Sequence, residues 1–444
     1  MTAEITRINT AAETKLTEQF RSANYSAHAF DPAFDRSRAF ERYSKAGLPH
    51  RRIEAWHYTD LRAILRDAHA PTVAPSADLV AQAKAHLAKT AEVAGARVVL
   101  IDGHFEPSLS RDLEQPGLSV RSLLDVLGAG ASDATALLAT HAEEEAEAVL
   151  ALNAALMQGG AVVTVTAGAT IAEPVEVVML TSGAQPSAVT TRSLVAVGAK
   201  ASVVVLERQE SLGQAPQQSN HALILSVGDG ATLHHVVLQD GTDTGTQAVT
   251  TVLARLGAES NLMSFALVTG SGFVRRQNFM EFAGDTAKGA LRGVALLDGK
   301  AHADTTLVVT HKALHCESRE LYKHILDDET TGIFQGKVIV APGAQKTDGK
   351  MMSRAIFLND GATMYNKPEL EIFADDVVCG HGATAGFLNE DQLFYLQARG
   401  IPKAVAEGLL LEAFAAEAVE DVGTEAIRDQ LTESIGLWLH QRHQ

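Results

Sequence analysis

The sequence predicts a mainly β fold, a parallel β-helix core flanked by N-terminal and C-terminal helical regions. Three observations carry this. From AVVTVTAGATIAEPVEVVML (161–180) onward, apolar residues alternate with a period of two in short runs, as half-buried strands do. Between the runs, small-residue turns recur: TAGAT at 166–170, VGAKAS at 197–202, VGDGAT at 227–232, LGAES at 256–260 and AGDTAKGA at 283–290. Their glycines Gly168, Gly198, Gly230, Gly257 and Gly284 are 30, 32, 27 and 27 residues apart. That is the coil length of a solenoid; a sandwich or barrel would not return one turn signature at this interval. NDGATM (359–364) and GHGATA (380–385) extend the series, and after about residue 386 the pattern becomes helical.

Residues 1–95 read as an N-terminal helical region. LTEQFRSA (16–23) is a short helix candidate and DPAFDRSRAFERYSKAGLP (31–49) a better one. Phe40 and Tyr43 share a face there, Phe34 falls off it, and Gly47 and Pro49 end the run. RRIEAWHYTDLR (51–62) gathers Trp56, Tyr58 and three arginines, which predicts a segment docked on the next unit through its aromatics. SADLVAQAKAHLAKTAEVAG (76–95) is a further helix, capped by Ser76 or Asp78. Residues 96–158 are a mixed connector: a strand RVVLID, then a long helix within 132–160, acidic toward its middle and closed by Gly159 and Gly160. The core spans 159–386.

Residues 387–444 form the C-terminal helical region. NEDQLFYLQARG (389–400) has Asn389 as N-cap and Gly400 as stop, and Pro402 opens the next helix. A last helix carries the stripe Ile427, Leu431, Ile435, Trp438 and Leu439. These faces need cover from the chain or from a partner. The last coil of a β-helix raises the same question, because it presents unpaired backbone donors and acceptors.

Composition narrows the function. A formal charge of −17 with no basic run argues against a nucleic-acid or anionic-membrane surface. No run of 18 apolar residues occurs and the N-terminus has no apolar signal core, so a cytoplasmic location is expected. The two cysteines, Cys316 and Cys379, lie 63 residues apart, and in a reducing compartment they predict no structural disulfide. Two thiols alone cannot supply the four-thiolate ligand set of a stable iron–sulfur protein. Any metal chemistry must borrow from histidine, carboxylate or a partner.

Phosphate-binding motifs fail on spacing. GIFQGKV (332–338) has three residues between its glycines where a phosphate loop needs four, and GAQKTDGKM (343–351) is also misspaced. HADTTLVVTHKALHCESRELYKH (302–324) is richer. On a strand His302 and Asp304 share a face, and His311, His315 and Cys316 could approach over a turn. That set would suit a stand-alone β-helix metalloenzyme, but it lacks any recognised zinc spacing and is weighed as mostly hydrogen-bonding groups. Cys379 and His381 stand two apart in EIFADDVVCGHGATAG (371–386), on one face if the segment is a strand. Gly380 and Gly382 leave the backbone approachable. A metal-ligating pair and a buried thiol beside a hydrogen-bonded imidazole are equally open readings there.

Read together, HADTTLVVTHKALHCESRELYK, FQGKVIVAPGAQKTDGK, NKPELEIFADDVVCGHGATAG and DQLFYLQARGI resemble the SufB/SufD family of the SUF iron–sulfur cluster assembly system, and within it the SufD branch. RRIEAWHYTDLR and ALNAALMQGGAVVTV carry the likeness toward the N-terminus. The resemblance implies a right-handed β-helix and a scaffold complex with SufB and the ATPase SufC. It implies pairing with SufB through the C-terminal end of the β-helix. SufC would dock on the C-terminal helices, around Phe394, Tyr395, Arg399 and Ile401. A transient iron–sulfur cluster would form at the SufB interface, with His381 as the matching histidine and Cys379 beside it, and with no metal held tightly by this chain alone. Whether a reduced flavin serves the complex stays open.

A SufB-like paralogue is the near alternative, but MMSRAIFLND (351–360) lacks the cysteine that marks that branch. Leu314, Gly380 and His57 depart from the residues common in the family, and none removes a ligand of the implied site. A homodimer through the β-helix end is a third reading. The leading expectation is a non-catalytic scaffold that also helps iron enter the complex.

Overall fold

The structure, a computed structural model, describes residues 9–23, 35–90, 93–130, 133–140, 148–241, 245–270 and 272–441. Its centre is a parallel β-solenoid of about eight turns. Consecutive core strands alternate between two ten-stranded sheets, and each pairs in parallel with the strand one coil away. Thus Gln217–Val227 pairs with Gln247–Leu256, and Ser202–Ser211 pairs with Thr232–Gly241. The series ends at Thr363–Ile372 in one sheet and Val378–Gly386 in the other.

The strands are longer than the short runs expected, mostly 10 residues, because each coil has only two sides and breaks only at its corners. One corner explains the glycine periodicity. Lys200, Gly230, Glu259, Thr286, His315 and Lys346 occupy the same corner in successive coils, each with φ between +55° and +65°. Each donates its backbone N–H to the next coil's corner: Lys200 to Asp229, Gly230 to Ala258, Glu259 to Asp285, Thr286 to Leu314, His315 to Gln345 and Lys346 to Asp376. Small neighbours let the corners stack. At Gly284 an added Cβ would lie 2.1 Å from the Ala258 nitrogen. GHGATA is not a corner, because it lies wholly within the strand Val378–Gly386.

The lumen between the sheets is filled by apolar rows such as Leu225, Ala254, Met280, Val309 and Val338. Helices cover both outer faces. Against one sheet pack Leu16, Tyr43, Leu48 and Trp56 of the N-terminal region, together with the helix Ala148–Leu156. The helices Ala11–Ser22 and Arg36–Ala46 are capped by Thr10 and Asp35, while Phe34 lies outside the described residues. Ala77–Leu87, capped by Ser76, ends well before residue 95. The helix expected within 132–160 is described as Asp133–Thr140 and Ala148–Leu156, and its acidic middle at 141–147 lies outside the described residues.

Against the other sheet pack Lys403–Val419 and Glu425–Gln441. The stripe Ile427, Leu431, Ile435, Trp438 and Leu439 is buried over Phe265, Val294 and Ile325, so this chain covers that face itself. Lys323 fastens the first of these helices, donating to the Phe414 carbonyl at 2.6 Å and pairing with Glu417. No helix among the described residues is long and apolar enough to cross a membrane.

The two ends of the solenoid differ. At the N-terminal end antiparallel strands close the sheets: His104–Phe105 against Arg97–Ile101, and Leu118–Ser122 against Ala161–Val165. At the C-terminal end Thr363–Ile372 and Val378–Gly386 each pair on one side only. The helices that follow turn back along the flank instead of capping them.

Candidate functional site

Cys379 and His381 lie on that last strand. Cys379 pairs in register with Gly349 and His381 with Met351, whose buried side chain belongs to the lumen core. Both residues therefore stand on the lumen-facing row of the terminal coil, as the alternation of a strand requires. Cys379 is half-buried against the lumen core, and burial raises its thiol pKa, with Asp348 and Glu320 adding to the shift. His381 is exposed because no further coil lies above it. A strand here thus brings an accessible imidazole and a shielded thiol to one open rim.

The rim is unusually apolar for an exposed edge. Val378 is 64% exposed, Phe373 62% and Phe387 60%, with Tyr365 and Ile372 also open. An uncovered edge of this kind templates pairing with another strand unless something covers it. The helix Glu390–Gln397, capped by Asn389, follows directly and contains no buried residue. Phe394 is 71% exposed, and Tyr395 is exposed under the Arg399 guanidinium, which stacks 3.5 Å from its ring centroid. Ile401 is half-buried and closes the turn by donating to the Leu396 carbonyl. Of these four residues Tyr395 and Arg399 are in direct contact.

The histidine-rich stretch is dispersed. His302 and Asp304 share the outer face of their strand, where Thr59 bonds to both and Asp304 pairs with Arg275. Arg275 lies 3.7 Å over the Trp56 ring and donates to the Ala55 carbonyl at 2.6 Å, so the group clamps the N-terminal segment to the solenoid. His311 points into the lumen, stacked at 4.2 Å on Phe282. His315 occupies the exposed left-handed corner, and Cys316 is buried with its thiol toward the Gly284 carbonyl. Among the described residues no three His, Cys, Asp or Glu side chains converge as a metal site. GIFQGKV is internal to the strand Thr331–Val340, with Lys337 paired to Glu371.

Sequence reading missed how far the docked N-terminal segment reaches. Tyr58 stacks on Tyr365 at 5.0 Å and Glu54 pairs with Lys367, so residues 54–58 brace the terminal strand Thr363–Ile372 from outside. The density of aromatics in RRIEAWHYTDLR was the available signal.

Residues 179–414 match the family model described as SUF system FeS cluster assembly, SufBD core domain, and residues 13–177 match the SufBD protein N-terminal region. The chain belongs to the SufBD family of SUF-system iron–sulfur cluster assembly proteins. It is 30% identical to the Escherichia coli iron-sulfur cluster assembly protein SufD over 397 residues, covering 88% of this chain and 89% of that one. It is 29% identical to the Bacillus subtilis SufD over 291 residues, 64% of this chain and 65% of that one. A SufBD family protein of Synechocystis is 28% identical over 87% of each chain.

Proposed function

We propose that this chain is a non-catalytic scaffold subunit of a SufBCD-type cytoplasmic complex. On this reading it pairs with SufB through the open end of the solenoid. His381 then contributes a ligand to a nascent iron–sulfur cluster, or to the iron that enters it, with Cys379 beside it and a partner's thiolate completing the set. The SufC ATPase docks on the surface around Phe394, Tyr395, Arg399 and Ile401, so that ATP hydrolysis reshapes the rim through the helices that follow it.

The observation that carries this reading is the asymmetry of the ends. One end is closed by antiparallel strands, whereas the other leaves two strand edges and a row of apolar side chains bare, with His381 on the lumen row between them. A neutral imidazole and a thiolate are both good iron ligands, and two protein ligands alone make a half-site. The cluster is cargo here, passed on after assembly.

His381→Ala is expected to leave complex formation intact, measured as mass in solution after co-expression with the paralogue and the ATPase. Cluster yield on the reconstituted complex should fall at least about tenfold, as loss of a metal-ligand shell residue does. Full cluster yield from that complex sinks the assignment.

A further inference from the structure

The strand Thr363–Ile372 at the open end pairs with Thr331–Val340 alone, and none of its residues is buried. A strand bonded on one side with little apolar cover is the kind of element that frays first. Its outer face is nevertheless supported. Tyr58 stacks on Tyr365, Glu54 pairs with Lys367, and His57 meets the Tyr58 ring edge-on at 4.9 Å.

The same segment is anchored on the three strands before that one. The Ala55 carbonyl accepts from Arg275 at 2.6 Å and from Gln335 at 3.3 Å. Thr59 bonds to His302 and Asp304, and Trp56 is buried under the Arg275 guanidinium. The strands that carry these groups, Phe273–Phe282, His302–His311, Thr331–Val340 and Thr363–Ile372, are successive neighbours in one sheet. Residues 54–59 therefore cross the sheet over three strand spacings, about 14 Å, and tie the free end of the solenoid to its packed middle. On the lumen side Ser353 donates to Asn366 Oδ1 at 2.6 Å. That bond joins the braced strand to the strand Asp348–Phe357, on which Cys379 and His381 are paired.

We infer that residues 54–59 are a strut that preorganises the open end for its partner, with Tyr58 as the positioning residue. Tyr58 holds Thr363–Ile372 in place through the Tyr365 ring, so docking does not first have to order that strand. Glu54 adds little, because its carboxylate is largely exposed. Trp56 and Thr59 keep the segment docked when the Tyr58 ring is removed, so the stack is separable from the fold. The inference rests on the reading of the open end as the face that meets the paralogue, and it names what keeps that face formed in the free chain.

The test measures amide exchange in the free full-length chain and, separately, its Kd for the purified paralogue. Tyr58→Ala is expected to speed exchange across 363–372 at least about fivefold, with Gln247–Leu256 unchanged, and to weaken binding by a similar factor. Tyr58→Phe keeps the ring and should restore both. Adding Tyr365→Ala to Tyr58→Ala should raise exchange little further, because either change alone removes the one stack. Unchanged exchange in Tyr58→Ala overturns the strut; if binding weakens all the same, Tyr58 is a contact residue of the docking face. Faster exchange with undiminished binding also overturns the inference, because the docking face then needs no preorganisation. A wild-type chain that does not bind the paralogue overturns the docking reading and the strut's role in it, while the exchange rates still show whether the strut orders the strand.

Discussion

Replacing Asp304 with alanine is expected to destabilise the folded chain by about 3–5 kcal/mol, the cost of stranding a buried charge. Both side chains of the Arg275–Asp304 pair are fully buried. Without the carboxylate, Arg275 keeps Gln277, the Ala55 carbonyl and the Trp56 ring, but no anion. Thr59, which bonds to both Asp304 and His302, and Thr306 each lose their acceptor on Asp304 at the same time. The damage should therefore spread to residues 53–62, because Trp56 docks through the very guanidinium left uncompensated. Urea unfolding would show a lower midpoint, and amide exchange in that segment should rise more than in the solenoid strands. Combining Asp304→Leu with Arg275→Met should recover most of the loss, since an apolar pair of similar volume replaces a buried ion pair at little cost. A loss below about 1 kcal/mol for Asp304→Ala would mean that water reaches the guanidinium.

This clamp marks where sequence reasoning stopped. The alternation of a strand was enough to put His302 and Asp304 on one face, and Trp56 was expected to be buried against the core. Nothing local joined the two, because Thr59 and His302 are 243 residues apart. The solenoid itself was legible from its corners: a left-handed φ in coil after coil demands Gly or a tolerant polar residue beside small neighbours, and that recurs visibly. The lumen rows were not legible. Stacked residues are a coil apart, and the coil length varies between 26 residues, from Thr250 to Arg276, and 32, from Phe334 to Asn366. Counting from one strand therefore does not find its neighbour. Glu320 is harder still. In ESRELYKHIL both faces carry polar residues, so alternation alone does not show that Ser318, Glu320 and Tyr322 face inward. Cys379 and His381 were found through their spacing and glycine neighbours, and their place just before residue 386 already put them on the last coil; the fold adds that Val378–Gly386 pairs on one side only.

The buried histidines set the second large effect, an acid-labile fold. His311 and His324 are held near pKa 4 by burial, against an unfolded value near 6.5. Between those values the unfolded chain binds a proton that the native chain refuses, so stability rises with pH and is lost as pH falls from about 6.5 toward 4. Each histidine contributes about 1.4 kcal/mol per pH unit in that window, or about 3 kcal/mol in all. Glu320 works in the opposite sense. Its carboxyl is raised to about 8, so its favourable term is complete below about 4.5 and fades as pH rises through 8. His311→Phe isolates one limb of this profile. His311 already stacks at 7° on Phe282 and neither ring nitrogen has a partner, so phenylalanine keeps the stack and removes only the proton site. Urea midpoints at pH 7, 6 and 5 should fall more gently for the variant than for the wild-type chain, the difference approaching about 2 kcal/mol at pH 5. The common titration of carboxylates cancels in that comparison. Parallel curves would require His311 to be protonated in the native lumen, with water or a counter-charge beside it.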